Sequence, residues 1–266
     1  MSSRRARWGA AALGVVAAAL LVTTSLAAVQ QVRVAARAPD LVGTAPAAPT
    51  EPARQPGGPV EPVGPAELAQ HAVVAPVDRA AATWVSQVSA LTGLGPVALQ
   101  AYADATLGMA RLDPGCRLGW TTVAAIGTVE SGNGTHGGAR LLADARPSVP
   151  IVGPALDGTA GTAAIPAGPD EAGWHGDAVW SHAVGPMQFL PSTWRRWASD
   201  GDGDGVQDPN DLDDAALAAG RYLCAGGRDL ATPEGWQAAV LSYNHDDAYV
   251  ALVLATANGF AAAAAR

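Results

Sequence analysis

Hydrophobic residues recur at helical spacing through most of the chain after residue 76. Segments 77–93, 96–112 and 117–130 carry apolar residues three or four positions apart, the period of an amphipathic helix. Further helices are predicted at 191–199, 213–224 and 233–243, and an Ala-rich, apolar stretch predicts a last helix at about 247–264. Thr232 followed by Pro233 matches the N-cap and first-turn preferences of a helix start. Because strand-like alternation is scarce, the pattern predicts a mainly α fold.

Two segments depart from this pattern. Residues 38–65 are Pro, Ala and Gly with few large apolar side chains, so they predict an extended linker rather than a core. Residues 139–183, rich in Pro, Gly and Asp, predict a long irregular segment or a small hairpin inserted into the helical domain. The predicted domains are therefore 1–37, the linker 38–65 and a folded domain over 66–266.

The N-terminal segment has the composition of an export signal. Arg4, Arg5 and Arg7 precede an uncharged run at 9–29, which is long enough to span a bilayer. The positive-inside rule places the rest of the chain outside the cytoplasm. The small residues Ser25 and Ala27, on either side of Leu26, also fit a cleaved signal peptide, so a membrane anchor and a secreted form both remain open.

Charge and cysteine content narrow the functional classes. The net charge is −8 and all sixteen basic residues are arginines, with no basic patch outside the N-terminus. Such a chain is a poor nucleic-acid binder, because binding to phosphates needs clustered cations. Cys116 and Cys224 are the only cysteines, and in an exported protein such a pair predicts one disulfide.

Glu130 stands at the end of a predicted helix, before the glycine-rich stretch 132–138. Val123, Ile126 and Gly127 share its face of the helix, so the carboxylate continues an apolar stripe. Partial burial raises the pKa of a carboxyl group and suits it to general acid catalysis. The alternative is a solvent-facing Glu before a glycine helix cap, and these residues alone leave both open.

The stretch 200–211, DGDGDGVQDPND, has the spacing of an EF-hand calcium loop. Aspartates fall at positions 1, 3, 5 and 9, glycine at position 6, and Asp211 replaces the usual glutamate at position 12. The predicted structural Ca²⁺ site uses carboxylates and one carbonyl, those of Asp200, Asp202, Asp204, Val206, Asp208 and Asp211. A flexible acidic turn is the alternative.

Three ordered motifs resemble the lytic transglycosylases, specifically the membrane-bound lytic transglycosylase B-like group. They are IGTVESGNG, AVGPMQFLPSTW and AVLSYNHDDAYV, spread over residues 120–250. The resemblance implies a lysozyme-like helical domain with an irregular or hairpin insertion and an EF-hand-like loop. It also implies an enzyme that cleaves the glycan strands of peptidoglycan in the cell envelope.

The resemblance assigns roles by position. Glu130 matches the family's single catalytic acid. The positions that match its substrate-binding residues are Ser131, which would orient the glutamate, together with Met187, Gln188, Phe189, Tyr243 and Asn244. No segment points to an organic cofactor.

The implied reaction breaks the β-1,4 bond between N-acetylmuramic acid and N-acetylglucosamine without water and leaves 1,6-anhydro ends. A hydrolytic muramidase remains an alternative, with Asp144, Asp157 or Asp177 as a second acid. A non-catalytic peptidoglycan-binding protein is the alternative from another class.

Overall fold

The structure, a computed structural model, describes residues 79–159 and 163–266, and the described chain is mainly α-helical. The predicted anchor and linker, and the predicted start of the domain at residue 66, lie outside these residues. The α-helices are, in chain order, α1 (Ala82–Thr92), α2 (Pro96–Leu112), α3 (Trp120–Ser131), α4 (Ala172–His175), α5 (Pro191–Trp197), α6 (Leu212–Cys224), α7 (Pro233–Tyr243) and α8 (Asp247–Ala264). A short 3₁₀ helix covers His136–Gly138.

Helix α3 lies at the centre of the packed helices. Its residues 122–127 are buried in succession, because α2 packs on one side of it and α8 on another. Gly127 permits this close packing. A Cβ at that position would lie 2.1 Å from the Tyr102 hydroxyl oxygen and 3.1 Å from the Met187 sulfur. The helix that ends at Glu130 is therefore fixed against its neighbours.

The helix boundaries follow local sequence signals. At the start of α7 the Thr232 hydroxyl accepts a hydrogen bond from the Gly235 amide at 3.1 Å, and Pro233 occupies the first turn. At the end of α3, Gly132 adopts a left-handed conformation with φ 60°. Both features were expected from residue type, since glycine and threonine favour these positions.

The predicted irregular insertion has little regular structure. Isolated antiparallel bridges hold it together, among them Val152 with Val184 and Pro166 with Trp180. The buried Glu171 carboxylate anchors it further, since it accepts a 2.7 Å hydrogen bond from the Ser181 hydroxyl and lies 3.5 Å from Arg195.

Helix α8 packs on α3 through Tyr249, Val250, Val253 and Ala257. By length and composition alone it is also apolar enough to cross a membrane, with a mean hydropathy of 1.3. In the described chain it contributes directly to the domain core.

A disulfide joins Cys116, just before α3, to Cys224 at the end of α6, as predicted from the two cysteines in an exported chain. Both residues are buried. The bond closes a loop with a sequence separation of 108 residues.

Candidate active site

The Glu130 side chain is half-buried at the last turn of α3. Burial raises the pKa of its carboxyl group from 4.5 to about 7, and a hydrogen bond from Tyr249 partly opposes this shift. A carboxyl group with this pKa is protonated in a large fraction of molecules at neutral pH. The structure therefore agrees with the partly buried interpretation and not with a solvent-facing Glu.

Tyr249, in the first turn of α8, is the hydrogen-bond partner of Glu130. Its hydroxyl donates to Glu130 Oε1 at 2.5 Å. Burial and the nearby carboxylate raise the pKa of the Tyr249 phenol above its usual value, so the tyrosine keeps its proton and acts as the donor. No described residue hydrogen-bonds Glu130 Oε2, which is therefore the oxygen available to carry the acidic proton.

Residues 184–189 form a tight turn beside the end of α3. The backbones of Val184 and Phe189 exchange two hydrogen bonds, of 2.9 and 3.0 Å. The Ser131 hydroxyl donates to the Pro186 carbonyl at 2.6 Å and accepts from the Gly134 amide at 2.8 Å. The turn is thus attached to the residue that follows Glu130.

Glycine is required at the second position of this turn. Gly185 has φ 76°, and a Cβ there would lie 1.9 Å from the Pro209 carbonyl oxygen in the acidic loop. The turn and the acidic loop are consequently in direct backbone contact.

Three of the predicted substrate-binding residues lie in the core in this structure. Ser131, Met187 and Phe189 are 2%, 0% and 3% exposed, which leaves no surface for a sugar. Met187 packs near Gly127, and Phe189 packs edge-to-face on Trp194 and Tyr243. These three side chains pack in the core behind Glu130, because the 184–189 turn faces inward.

Gln188, Tyr243 and Asn244 are the more accessible members of the predicted set. Gln188 adopts a left-handed φ of 51° and donates from Nε2 to the Gly185 carbonyl at 2.9 Å. Tyr243 donates to the Met187 carbonyl at 2.7 Å, and Asn244 is exposed at the end of α7. Ser131 was expected to orient the glutamate, but the hydroxyl that hydrogen-bonds Glu130 is that of Tyr249.

Tyr249 is a partner of Glu130 that motif reasoning missed. The one signal for it is a lone aromatic residue in the first turn of an otherwise Ala-rich helix. Its contact with Glu130 spans 119 positions, so only the packing of α8 on α3 brings the two together.

Replacing Tyr249 by Phe should move the alkaline limb of the pH–activity profile upward by about one pH unit. A hydrogen bond donated to a carboxylate stabilises the charged form, so its removal raises the Glu130 pKa further. Initial rates of glycan cleavage from pH 5 to 9 measure this limb. Tyr243→Phe, which loses only the contact with Met187, is the matched control, and an unshifted limb in Tyr249→Phe would contradict a role through Glu130.

The acidic loop and the start of α6 bring together three carboxylates, two of which belong to the predicted ligand set. The carboxylates of Asp200, Asp202 and Asp214 have oxygen atoms within 4.8 Å of one another. Asp200 and Asp214 are buried, and burial raises the pKa of Asp214 to about 7. Three carboxylates this close, two of them buried, fit a divalent cation with oxygen ligands.

Asp211, the predicted closing ligand, has other partners. Its Oδ1 caps α6 by accepting from the Asp213 amide at 2.9 Å, and its Oδ2 lies 3.1 Å from Arg146. Arg146 also lies 3.4 Å from Asp208 and 3.8 Å from Asp204. Asp214, in the first turn of α6, contributes the third carboxylate of the cluster, and its oxygens accept from the Gly201 and Asp208 amides at 2.6 and 2.8 Å.

The three predicted candidates for a second acid are engaged within their own turns. Asp157 accepts from the Thr159 amide and hydroxyl at 2.8 and 2.6 Å, and these bonds lower its pKa. Asp177 accepts from two amides and lies 3.2 Å from His182, which likewise lowers its pKa. Asp144 Oδ1 accepts from the Arg146 amide at 3.3 Å.

Residues 175–240 match the family model described as the Transglycosylase SLT domain. The match covers about a quarter of the chain and includes the 184–189 turn and the acidic loop, but not Glu130 or Tyr249. The family description agrees with the lytic transglycosylase resemblance of the three sequence motifs.

Two further comparisons add little. The chain matches no curated protein sequence. Among solved structures, the Escherichia coli lytic transglycosylase Slt35 in complex with bulgecin A is 16% identical, with a TM-score of 0.38, over 69% of this chain and 79% of that chain. A likeness at this TM-score does not establish a common fold.

Proposed function

We propose that the protein cleaves the β-1,4 bond between N-acetylmuramic acid and N-acetylglucosamine without water, with Glu130 as acid and then base. The main support for this proposal is Glu130 itself, whose half-buried carboxyl group has a pKa of about 7 and accepts a hydrogen bond from Tyr249. Burial and Tyr249 account for that pKa, with no contribution from a described neighbouring carboxylate.

In the first step Glu130 donates its proton from Oε2 to the glycosidic oxygen. Tyr249 holds Oε1, which leaves Oε2 free to face the leaving group. As the bond between the anomeric carbon and this oxygen breaks, the 2-acetamido oxygen of N-acetylmuramic acid attacks the anomeric carbon. Substrate assistance of this kind replaces the second carboxylate that most glycosidases use.

In the second step the Glu130 carboxylate acts as a base. It removes the proton from the C6 hydroxyl of the same sugar, and the C6 oxygen attacks the anomeric carbon as the acetamido oxygen leaves. The products are a 1,6-anhydro ring and a free C4 hydroxyl, and Glu130 is protonated again. One residue can serve both steps because its pKa lies near neutral pH.

A hydrolytic muramidase is the nearer alternative, and a non-catalytic binder is the more distant one. A muramidase needs a second group to activate water, whereas Asp144, Asp157 and Asp177 are held in turns of the insertion. A binder has no requirement for a carboxyl group whose pKa is raised to about 7, because burial of that group costs stability.

Mass analysis of the products from purified peptidoglycan separates the three functions. The proposed reaction gives chain ends lighter by one water than reducing ends. Reducing ends would identify a muramidase, and an absence of products would favour the binder.

The pH dependence should show a single limb. Because the first step needs protonated Glu130, kcat/KM should fall as pH rises through about 7. A catalytic second carboxylate would add an acid limb near pH 4–5. Measuring kcat/KM on a soluble glycan from pH 4 to 9 tests this, and a bell-shaped profile would contradict the single-acid mechanism.

We propose that the acidic loop binds one Ca²⁺ in a structural role. The cluster of Asp200, Asp202 and Asp214 would supply the carboxylates, and the exposed Asp204 and Val206 lie on the same loop. The role is structural because the Pro209 carbonyl contacts Gly185 at the start of the 184–189 turn. A cation would stabilise this contact, while the proton transfers at Glu130 need no metal.

Calcium should raise the melting temperature, and a chelator should lower it. A ligand that binds only the folded state adds about 2.7 kcal/mol to the free energy of unfolding at 100 times its Kd. Asp214→Ala should lose the calcium-dependent shift. Asp211→Ala, the matched control, should melt lower in both conditions yet keep that shift, since it loses a helix cap. A shift lost only in Asp211→Ala would restore the predicted ligand set, and no shift in the unsubstituted protein at millimolar calcium would refute the site.

The proposed activity on peptidoglycan implies an extracytoplasmic location in the cell envelope. We propose that the N-terminal run at 9–29 tethers the domain to the membrane, with 38–65 as a spacer. The run length supports this proposal. Fractionation of cells that make the full chain tests it, because a cleaved signal would leave a shorter protein outside the membrane fraction.

A further inference from the structure

A cavity lies where the C-terminal ends of α2, α5 and α6 meet. Its volume is about 400 Å³, within the usual size range of small-molecule sites. Met109, Leu217 and Trp197 give it apolar walls, and Arg221 and Asp113 give it charge. None of its lining residues belongs to α3 or α8, so the cavity is separate from the Glu130 site.

Arg221 lines the cavity and has hydrogen-bond donors that no described residue uses. Its Nη1 donates to the carbonyls of Trp197 and Ala198 at 3.3 and 2.9 Å and contacts the Ser199 hydroxyl at 2.9 Å. Nε and Nη2 have no hydrogen-bond partner among the described residues. Burial lowers the pKa of this guanidinium, and no carboxylate of the described chain offsets the cost. Such a group favours an anionic ligand, above all a carboxylate that can take two parallel hydrogen bonds.

Asp113 supplies the opposite charge in the same cavity. It follows the last residue of α2, and no described residue hydrogen-bonds its carboxylate. Asp113 and Arg221 line one cavity without forming an ion pair with each other. A cavity with one unpaired cation, one unpaired anion and apolar walls is complementary to a ligand that carries an ammonium and a carboxylate on a short apolar skeleton.

We infer that this cavity binds an amino-acid end group, with its carboxylate on Arg221 and its ammonium on Asp113. The stem peptides of peptidoglycan carry such groups, and their choice as the source rests on the proposed function. A free amino acid has the same chemistry. If the ligand is a stem peptide, the cavity holds a peptide branch of the polymer while the glycan strand occupies the Glu130 site.

Calorimetric titration of the full chain tests this inference. The chain carries Glu130→Gln so that no probe is cleaved, and binding is measured whether or not the proposed reaction occurs. The probes are a muramyl peptide with a free side-chain amine, its amine-acetylated form, its carboxyl-amidated form, and alanine. The unmodified muramyl peptide should bind, and either modification should weaken binding at least about tenfold, since each removes one charged contact.

The variants assign the contacts. Arg221→Met should weaken binding of the muramyl peptide at least about tenfold. Its binding of the amidated form should equal that of the chain with Arg221 in place. Arg228→Met is the matched control, because Arg228 Nη1 likewise donates to two helix-end carbonyls, those of Tyr222 and Leu223, but does not line the cavity. Unchanged binding in Arg221→Met, or an equal loss in Arg228→Met, would overturn the inference.

Asp113→Asn keeps the test decisive if Arg221→Met does not fold. It should weaken the peptide with a free amine and leave the acetylated peptide unchanged, whereas equal effects on both would also overturn the inference. Alanine binding as tightly as the muramyl peptide would confirm the cavity chemistry and assign free amino acids as its ligand.

Discussion

Replacing Glu130 by Gln should abolish glycan cleavage and make the protein more stable at pH 8. The activity falls because Gln cannot donate or accept the proton, and loss of a general acid costs roughly 100- to 10,000-fold in rate. Here one residue serves both steps, so the upper part of that range is expected. Release of soluble muropeptides from peptidoglycan measures it, and near-normal release would refute the assignment.

The stability gain follows from the pKa of the same group. The pKa of Glu130 is about 7 in the folded protein and near 4.5 when the chain unfolds. Between these values the folded state holds a proton that the unfolded state has released, so stability falls as pH rises from about 4.5 to about 7. At 1.36 kcal/mol per pKa unit, the neutral variant should gain at most about 3 kcal/mol above pH 7.

Melting scans at two pH values isolate this effect. Glu130→Gln should melt roughly 5–10 °C higher than the unsubstituted protein at pH 8 and at the same temperature at pH 4. Glu234→Gln, in the first turn of α7, controls for the general loss of one negative charge. An equal difference at both pH values would show that the Glu130 pKa is not raised.

Breaking the Cys116–Cys224 disulfide should lower the free energy of unfolding by about 4 kcal/mol. The chain-entropy model gives about 4.7 kcal/mol for a closed loop of about 100 residues, close to the 108-residue separation here. The effect acts mainly on the unfolded chain, so the active site should persist at low temperature.

Urea unfolding with and without reductant measures this loss. The double variant Cys116→Ser and Cys224→Ser should unfold at the lower midpoint in both conditions. Its cleavage rate at 15 °C should stay near that of the unsubstituted protein, because Glu130 and Tyr249 do not contact the disulfide. An unchanged midpoint under reducing conditions would show that the bond adds nothing.

The helices could be predicted from the sequence because their ends carry local signals. The predicted 96–112, 233–243 and 247–264 agree with α2, α7 and α8. The segment predicted at 77–93 begins later, at Ala82, because the amide of Ala80 bonds to the Asp104 carboxylate instead of continuing a helix. Period and capping are properties of neighbouring residues and need no knowledge of the fold.

The contacts of the candidate site could be predicted only in part. The position of Glu130 on an apolar face was visible in the spacing of α3, and its raised pKa followed. Tyr249 was missed because only the packing of α8 on α3 brings it to Glu130. Asp214 was missed because it lies in α6, after the acidic loop has ended. The inward direction of Met187 and Phe189 depends on the 184–189 turn, which no periodic pattern encodes.

The disulfide also divides the chain into a covalent ring and two tails. The ring, from Cys116 to Cys224, contains Glu130 and the acidic loop, whereas Tyr249 lies on the C-terminal tail. A protease that cuts one bond within the ring leaves its pieces tied together by sulfur. A cut at the exposed Gly226–Gly227 pair severs the covalent link between Tyr249 and the glutamate it holds. After such a cut, only the packing of α8 on α3 holds Tyr249 beside Glu130.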